Sequence, residues 1–215
     1  MPDALPYLFV LAVAAALIYW LYPVLVVVPG ALFFFVAWFF RNPPRRISSE
    51  PDIVVSPADG VIVGIEDAYE PHYLKSQAKR ITIFLNIFNV HVNRMPVAGN
   101  IEFVEYKPGE YLAAYREEAA LRNEQTLIGI YDGRSRFLVK QVAGLIARRI
   151  VCWPKVGDAV ARGDIFGLIK FGSCTELYLP MSSMLEVGVK DRVRGGETII
   201  GRLRNEENTR QAAST

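Results

Sequence analysis

Cysteine and histidine are scarce in this chain, and its net charge is close to zero. Two cysteines, Cys152 and Cys174, and two histidines, His72 and His91, stand among 215 residues. They are scattered without metal-ligand spacing, so no metal site is expected. So little cysteine suits a reducing compartment. Lys and Arg number 24 against 22 Asp and Glu, a net +2. The basic residues are dispersed in small groups: Lys79-Arg80, Arg134 with Arg136, and Arg148-Arg149. A nucleic-acid footprint needs a concentrated stripe, so no nucleic-acid partner is expected. Two motifs are also missing. There is no G-x-S-x-G elbow, which argues against a serine hydrolase of that type. Nor is there a lysine-centred attachment motif of a swinging-arm carrier.

Over residues 5–40 charge is absent altogether. Residues 5–22 are apolar or aromatic apart from the proline at position 6, Pro23 interrupts, and Pro29-Gly30 interrupts again before residues 31–40. A membrane-spanning helix takes about 20 such residues, with about 17 the lower limit. Residues 1–41 are therefore expected to be an apolar helical membrane anchor, either a tight hairpin or one span plus an interfacial piece. No basic n-region precedes the run, which sets it apart from a cleaved signal peptide. Arg41, Arg45 and Arg46 follow it at once. Such residues prefer the cytoplasmic side and the level of anionic headgroups. The expected location is the cell membrane, with the remainder of the chain on the cytoplasmic side.

Residues 42–51 read as a proline-rich linker. From 52 to 204 the chain reads as mainly β. Short runs rich in Val, Ile, Phe and Tyr cover 53–55, 61–65, 81–87, 101–106, 126–131, 137–142, 147–152, 165–169, 176–179 and 198–202. One helix is expected over 110–122, from the spacing of Leu112, Tyr115, Ala119 and Arg122; a loop over the active site is the other reading. The tail, 205–215, is polar and expected to be disordered. An internal echo joins Val156-Gly157-Asp158-Ala159-Val160 and Gly163 to Val189-Lys190-Asp191-Arg192-Val193 and Gly196. Each copy reads as a turn leading into a strand, and it resembles the turn of lipoyl-type sandwiched barrels.

Three segments carry candidate chemistry. Val55-Ser56-Pro57-Ala58-Asp59-Gly60-Val61 sets an acid in a turn between apolar strands. Phe88-Asn89-Val90-His91-Val92-Asn93-Arg94-Met95-Pro96 sets a histidine in an apolar stretch. Lys170-Phe171-Gly172-Ser173-Cys174-Thr175-Glu176 sets a hydroxyl directly after a glycine between two strands. At such a dipeptide the Ser173 hydroxyl can attack the Gly172 carbonyl and turn an amide into an ester. Gly172 has no side chain to obstruct the attack and tolerates a strained backbone. Serine needs a base, histidine is the usual one, and an acid behind it fixes the tautomer. Asp59, His91 and Ser173 are the parts of such a triad.

Taken together, in this order and behind an apolar N-terminus, the three segments resemble the phosphatidylserine decarboxylase family, its shorter chain type above all. The run from Gln141-Val142-Ala143-Gly144 to Arg148-Arg149-Ile150 shares the resemblance. It implies a proenzyme that cuts itself between Gly172 and Ser173 into chains 1–172 and 173–215, which stay together. Ser173 becomes a pyruvoyl cofactor, with Asp59 and His91 assisting. The ketone takes the substrate's amine, and its carbonyl accepts the electrons released as carbon dioxide leaves. The substrate implied is a membrane phospholipid, phosphatidylserine, and the product phosphatidylethanolamine. His91 is the candidate proton donor. Phe88, Val90, Phe171 and Tyr178 are candidates to line an apolar pocket for the departing carboxylate. Longer family members carry a second histidine three residues after the first, where this chain has Arg94. Two readings stay open: His91 serves both steps, or Arg94 holds a carboxylate or phosphate. Homo-oligomers are left open. The alternative from another class is a membrane-anchored, lipoyl-like adaptor that is never cut.

Overall fold

The computed structural model describes residues 4–110, 122–144, 150–169 and 173–203. They divide into two units: the N-terminal helices with Phe88–Val90, and the β-rich remainder from Arg45.

In the first unit, helix α1 spans Leu5–Leu21, a 3-10 turn spans Pro23–Val26, and helix α2 spans Val27–Phe39. Pro23 explains the break, since a proline inside a helix removes a hydrogen bond and clashes with the preceding turn. Pro29 falls in the first turn of α2, where its missing N–H has no partner to lose. The helices fold back on one another, with the Tyr7 and Phe40 rings stacked at a centroid distance of 6.1 Å. With 17 and 13 residues, neither is long enough: among the described residues no helix is long and apolar enough to cross a membrane. The expectation of a spanning anchor therefore lacks its helix, because prolines divide the apolar run.

The second unit is mainly β. Its strands are β1 Ile53–Val55, β2 Gly60–Glu70, β3 Ser76–Leu85, β4 Val92–Arg94, β5 Gly99–Lys107, β6 Gln125–Tyr131 and β7 Arg136–Ala143. They continue with β8 Ile150–Cys152, β9 Ala159–Val160, β10 Ile165–Ile169, β11 Ser173–Pro180, β12 Met184–Leu185, β13 Arg192–Val193 and β14 Ile199–Arg202. One eight-stranded sheet runs β13-β2-β3-β11-β7-β6-β5-β9, and two three-stranded sheets run β1-β14-β12 and β4-β10-β8. Every pairing between these strands is antiparallel. The strands expected from apolar runs are present, several of them longer. Those missed are β9, β12 and β13, each too short to carry a period, and β4, which lies inside the histidine segment. Glu110 and Arg122 bound the expected helix and are joined by the Glu110 N–H to the Arg122 carbonyl at 2.7 Å; the helix itself and the tail fall outside the described residues.

The internal echo is one part of a twofold relation. Gly157 N–H donates to Ile101 O and Ile101 N–H to Asp158 O; Lys190 N–H donates to Ile62 O and Ile62 N–H to Asp191 O. Gly163 N–H donates to Met95 O, and Gly196 N–H to Ser56 O, both at 2.8 Å. Val55 N–H donates to Pro96 O, and Arg94 N–H to Pro57 O. The segment from Ser56 to Ile62 thus superposes in role on that from Met95 to Ile101. The relation extends into the large sheet. Ile62 faces Ile83, which faces Thr175; Ile101 faces Ile130, which faces Phe137. Continuing along both strands, the axis passes between Leu177 and Val139, which face each other across β11 and β7. Around them Ile62, Ile81, Ile83, Ile128, Ile130, Phe137 and Phe166 are all fully buried in one core.

Gly163 and Gly196 occupy equivalent turns at φ +86° and +81°, where L side chains are strained, and both backbones crowd Ile47. Lys190 stands at φ +79° where the other copy has Gly157 at +96°. We expect Gly163→Ala and Gly196→Ala each to cost about 1–3 kcal/mol in denaturant unfolding. Lys190→Gly has the opposite sign, a gain of under about 1 kcal/mol.

Candidate active site

Ser173 opens β11 in the middle of the large sheet, facing Leu85 on one side and Ala143 on the other. It is completely buried, and its Oγ has no hydrogen-bond partner. Gly172 and Phe171, the other half of the expected cleavage site and one expected pocket residue, lie outside the described residues. Side chains alternate along a strand. Ser173, Thr175, Leu177 and Leu179 therefore face the core, while Cys174, Glu176 and Tyr178 face the other side. This corrects the placement of Tyr178 in the pocket: its ring packs with Ala78, Leu127 and Leu138, and its hydroxyl donates to Glu176 Oε2 at 2.7 Å.

His91 immediately precedes β4 and is 2% exposed. Two tethers hold it at the Ser173 end of the core. Its carbonyl accepts the Ile169 N–H at 3.2 Å. Ile169 is four residues from Ser173, a reach of at most about 14 Å. Asn93, two residues on, donates from Nδ2 to Thr175 Oγ1 at 3.2 Å, and Thr175 is two residues on from Ser173. Both strands thus run into the same corner. His72, by contrast, is part-exposed on the outer face between Lys107 and Glu105.

Asp59 sits in a separate ionic cluster. Arg45 Nη2 lies 2.9 Å from both of its oxygens, and Gly195 N–H donates to Oδ1 at 2.8 Å. The hydrogen bonds of this carboxylate go to Arg45 and Gly195, not to His91. Arg45 also faces Glu197 at 3.6 Å, and Glu197 accepts the Arg46 N–H. Arg45 turns inward, with its side chain 7% exposed, so it is not one of the headgroup-facing cations its position suggested. Arg94 adjoins the cluster and donates to Gly163 O at 2.9 Å. Burial, and then the neighbouring Arg45, hold its guanidinium below the usual arginine range, against the pull of Asp59, Glu197 and Asp164. Pro57 links cluster and corner, since its carbonyl accepts from Arg94 N–H at 2.9 Å and from Asn93 Nδ2 at 3.4 Å.

Of the other expected pocket residues, Phe88 and Val90 belong to the helical unit. Phe88 is 63% exposed, with its ring edge-on to Trp38. Sequence reading missed Asn93, Gln141 and Thr175, which form one buried hydrogen-bonded group with Gln141 Nε2 donating to Asn93 Oδ1 at 2.9 Å. Asn93 was discoverable: it alternates with His91 in a stretch otherwise fit for a core strand. Among the described residues no three His, Cys, Asp or Glu side chains gather as metal ligands.

Comparison with known proteins gives one consistent result. The family model described as phosphatidylserine decarboxylase matches residues 32–201. A phosphatidylserine decarboxylase proenzyme of Symbiobacterium thermophilum is 48% identical over 197 residues, 91% of this chain and 90% of that protein. The proenzyme of Carboxydothermus hydrogenoformans is 49% identical over 175 residues, 80% of this chain and 82% of its own. That of Amoebophilus asiaticus is 44% identical over 174 residues, 80% and 77%.

Two expectations follow from the site's electrostatics. Removing one partner of a buried pair strands the other charge. Arg45→Met should therefore cost about 3–5 kcal/mol in denaturant unfolding, with part recovered in Arg45→Met/Asp59→Asn. The Cys174 thiol is pushed up to about 12, first by burial and then by Glu176 beside it. A raised thiol stays protonated and poorly nucleophilic. Cys174 should therefore resist iodoacetamide at pH 8 in the folded protein and react once unfolded, as read by mass.

Proposed function

The chain belongs to the phosphatidylserine decarboxylase family of carboxy-lyases, and we propose that it decarboxylates phosphatidylserine using a pyruvoyl group made from its own Ser173. The observation that carries this reading is the Ser173 hydroxyl, fully buried and without a partner at the head of β11. Leaving a buried polar atom unpaired costs about 1–3 kcal/mol, so it calls for an explanation. A hydroxyl kept free to attack the preceding carbonyl supplies one.

In the proposed self-cleavage, Ser173 Oγ bonds to the Gly172 carbonyl carbon as the Gly172–Ser173 amide breaks. The Oγ proton passes to the freed nitrogen. Loss of the Ser173 α-proton then expels Gly172 as a carboxylate, and water replaces the nitrogen as ammonia. His91 is the side chain that takes the Oγ proton. Asp59, with Arg45 and Glu197, fixes the turn that meets Asn93 and Arg94. The surroundings suit the product group. Ala143, Ile150 and Ile169 make a small apolar cluster beside the Ser173 end, and an apolar wall favours loss of a carboxylate. A pyruvoyl group supplies an electron sink for the bond that releases carbon dioxide. His91 then holds the proton that replaces it, and Arg94 stands nearby as a fixed cation for the substrate's carboxylate or phosphate.

The lipid substrate gives the helical unit a role. Leu5, Phe9, Trp20, Val27 and Phe34 are each more than 60% exposed. An exposed apolar surface of this kind marks a membrane or partner contact. In this reading the short helices lie in the interface without crossing, with the basic residues after them on the cytoplasmic side. The β unit is read as a sandwiched barrel of the lipoyl kind, by its twofold pair of turns.

The intact mass under denaturing conditions tests the proposal. The expected result is two chains, 1–172 and 173–215, with the smaller one captured by a carbonyl-trapping reagent. A single chain in folded protein would overturn it and restore the adaptor reading. Ser173→Ala should remain one chain and release no carbon dioxide, and His91→Ala should lose at least about 100-fold in activity. The two chains should part only in denaturant, because β11–β14 are woven into two of the three sheets.

A further inference from the structure

Three interior positions at the Ser173 end break the twofold relation. Asn93 faces Gly167 across β4 and β10; its counterpart Val54 faces Gly201 across β1 and β14. In the large sheet Thr175 corresponds to Phe137, and Gln141 to Leu179. One end of the core therefore carries Val54, Phe137 and Leu179, all fully buried and apolar. The other carries Asn93, Thr175 and Gln141, equally buried and polar. The fold itself accepts apolar side chains at these places, so the polar set answers another need.

The hydrogen bonds of the set fix the orientation of its amides. Asn93 Nδ2 donates to Thr175 Oγ1, so its Oδ1 is the acceptor that receives Gln141 Nε2 at 2.9 Å. A side chain at Gly167 would press on Gln141 Nε2 and on the Val151 carbonyl, so glycine keeps the space for this amide. Gln141 Oε1 is thereby left as an acceptor with no partner. Two further orphans stand in this corner: Glu124 Oε2, on the side of Ala143 and Ile150, and Ser173 Oγ, a hydroxyl that can donate. Gln141 faces Thr175 and Ser173 faces Ala143, so Gln141 and Ser173 are diagonal neighbours on the same face of adjacent strands. Such neighbours lie within reach of a long side chain.

The geometry assigns Gln141, held by Asn93 and Thr175, as the residue that positions the Ser173 hydroxyl for self-cleavage: its Oε1, unbonded in the resting chain, receives the Oγ–H as the hydroxyl turns to attack and holds it there until His91 takes the proton. The assignment rests on the self-cleavage reading above. Gln141 is a positioning residue and takes no proton.

The test follows conversion of freshly made full-length chain into two pieces on a denaturing gel over time. Gln141→Met, which keeps length but removes the acceptor, should convert at least about tenfold more slowly. Gln141→Glu, whose buried carboxyl stays neutral and keeps both a donor and a carbonyl, should restore the rate to within about threefold of wild type. The triple variant Asn93→Val/Gln141→Leu/Thr175→Val copies the apolar end of the core. On a Ser173→Ala background it should melt no lower than Ser173→Ala alone, and with Ser173 present it should convert at least about tenfold more slowly. Gln141→Met converting at the wild-type rate would overturn the assignment alone. So would Gln141→Met and Gln141→Glu being equally slow, or a loss of rate that tracks a loss of melting temperature. A wild-type chain that never converts would overturn the self-cleavage reading beneath it.

Discussion

Strand β11 is hydrogen-bonded to β3 and to β7 on its two sides, from Ser173 to Tyr178, and this double pairing is the constraint on which the rest depends. A strand so placed cannot shift by one residue without turning Leu177 and Leu179 out of the core and Glu176 into it. The register therefore fixes Ser173 as an inward-facing, fully buried residue. A serine reached by cleavage of the preceding bond would stay where it was made, because the pairings from Cys174 to Tyr178 on both sides do not involve that bond. The same pairing sends Cys174 to the opposite face, so its thiol is kept apart from the Ser173 hydroxyl by direction as well as by protonation.

The twofold relation explains how a buried polar corner coexists with a stable fold. Two equivalent sets of strands close around Leu177 and Val139, and the burial that stabilises the unit is shared between them. The buried polar and charged groups stand where the copies differ. Asp59 corresponds to Ala98, Arg94 to Val55, Asn93 to Val54, and Glu197 to Asp164. In each of the first three pairs the apolar member shows what the fold alone needs. The polar members gather on one side of the axis, where Pro57 joins the ionic cluster to the amide group. An unpaired polar group in a core is costly, and confining such groups to one of two equivalent corners limits the cost while leaving the other corner as ordinary packing.

Much of this was legible in the sequence, for identifiable reasons. Runs such as those of β1, β7 and β10 are apolar enough to be seen as strands, and the repeated turn gave half of the symmetry because glycine and aspartate mark positions that backbone geometry restricts. The other half, Ser56 to Ile62 against Met95 to Ile101, was hidden because side chains had diverged while the hydrogen bonds had not. Tyr178 was misplaced because a run of residues does not announce which face is inward when both faces are buried. Arg45 was misread for a related reason: a basic residue after an apolar run has the same signature whether it meets lipid or turns back to a carboxylate. The apolar run itself had nearly the length of a span, yet its prolines decided where helices could end. Gln141 carried no signal at all, since its meaning lies in a pairing with Thr175 and Asn93 that only the assembled sheets create.

The ionic cluster also bears on which side chain moves protons in the proposed reaction. An arginine at position 94 cannot act as a base, because a guanidinium remains charged in a protein even when burial and a like-charged neighbour weaken its hold on the proton. Asp59 is committed by its hydrogen bonds to Arg45 and to the Gly195 N–H. His72 is on the outer face of the sheet, beside Lys107. That leaves His91 as the one buried imidazole among the described residues, tethered through its carbonyl to the strand that leads into Ser173. Once the Oγ proton has passed on to the freed nitrogen the imidazole is neutral again and available for the proton transfer of turnover, so one histidine is chemically sufficient for both steps. The arginine then does what a second histidine could not do as reliably near neutral pH, which is to keep a permanent positive charge beside Asp59.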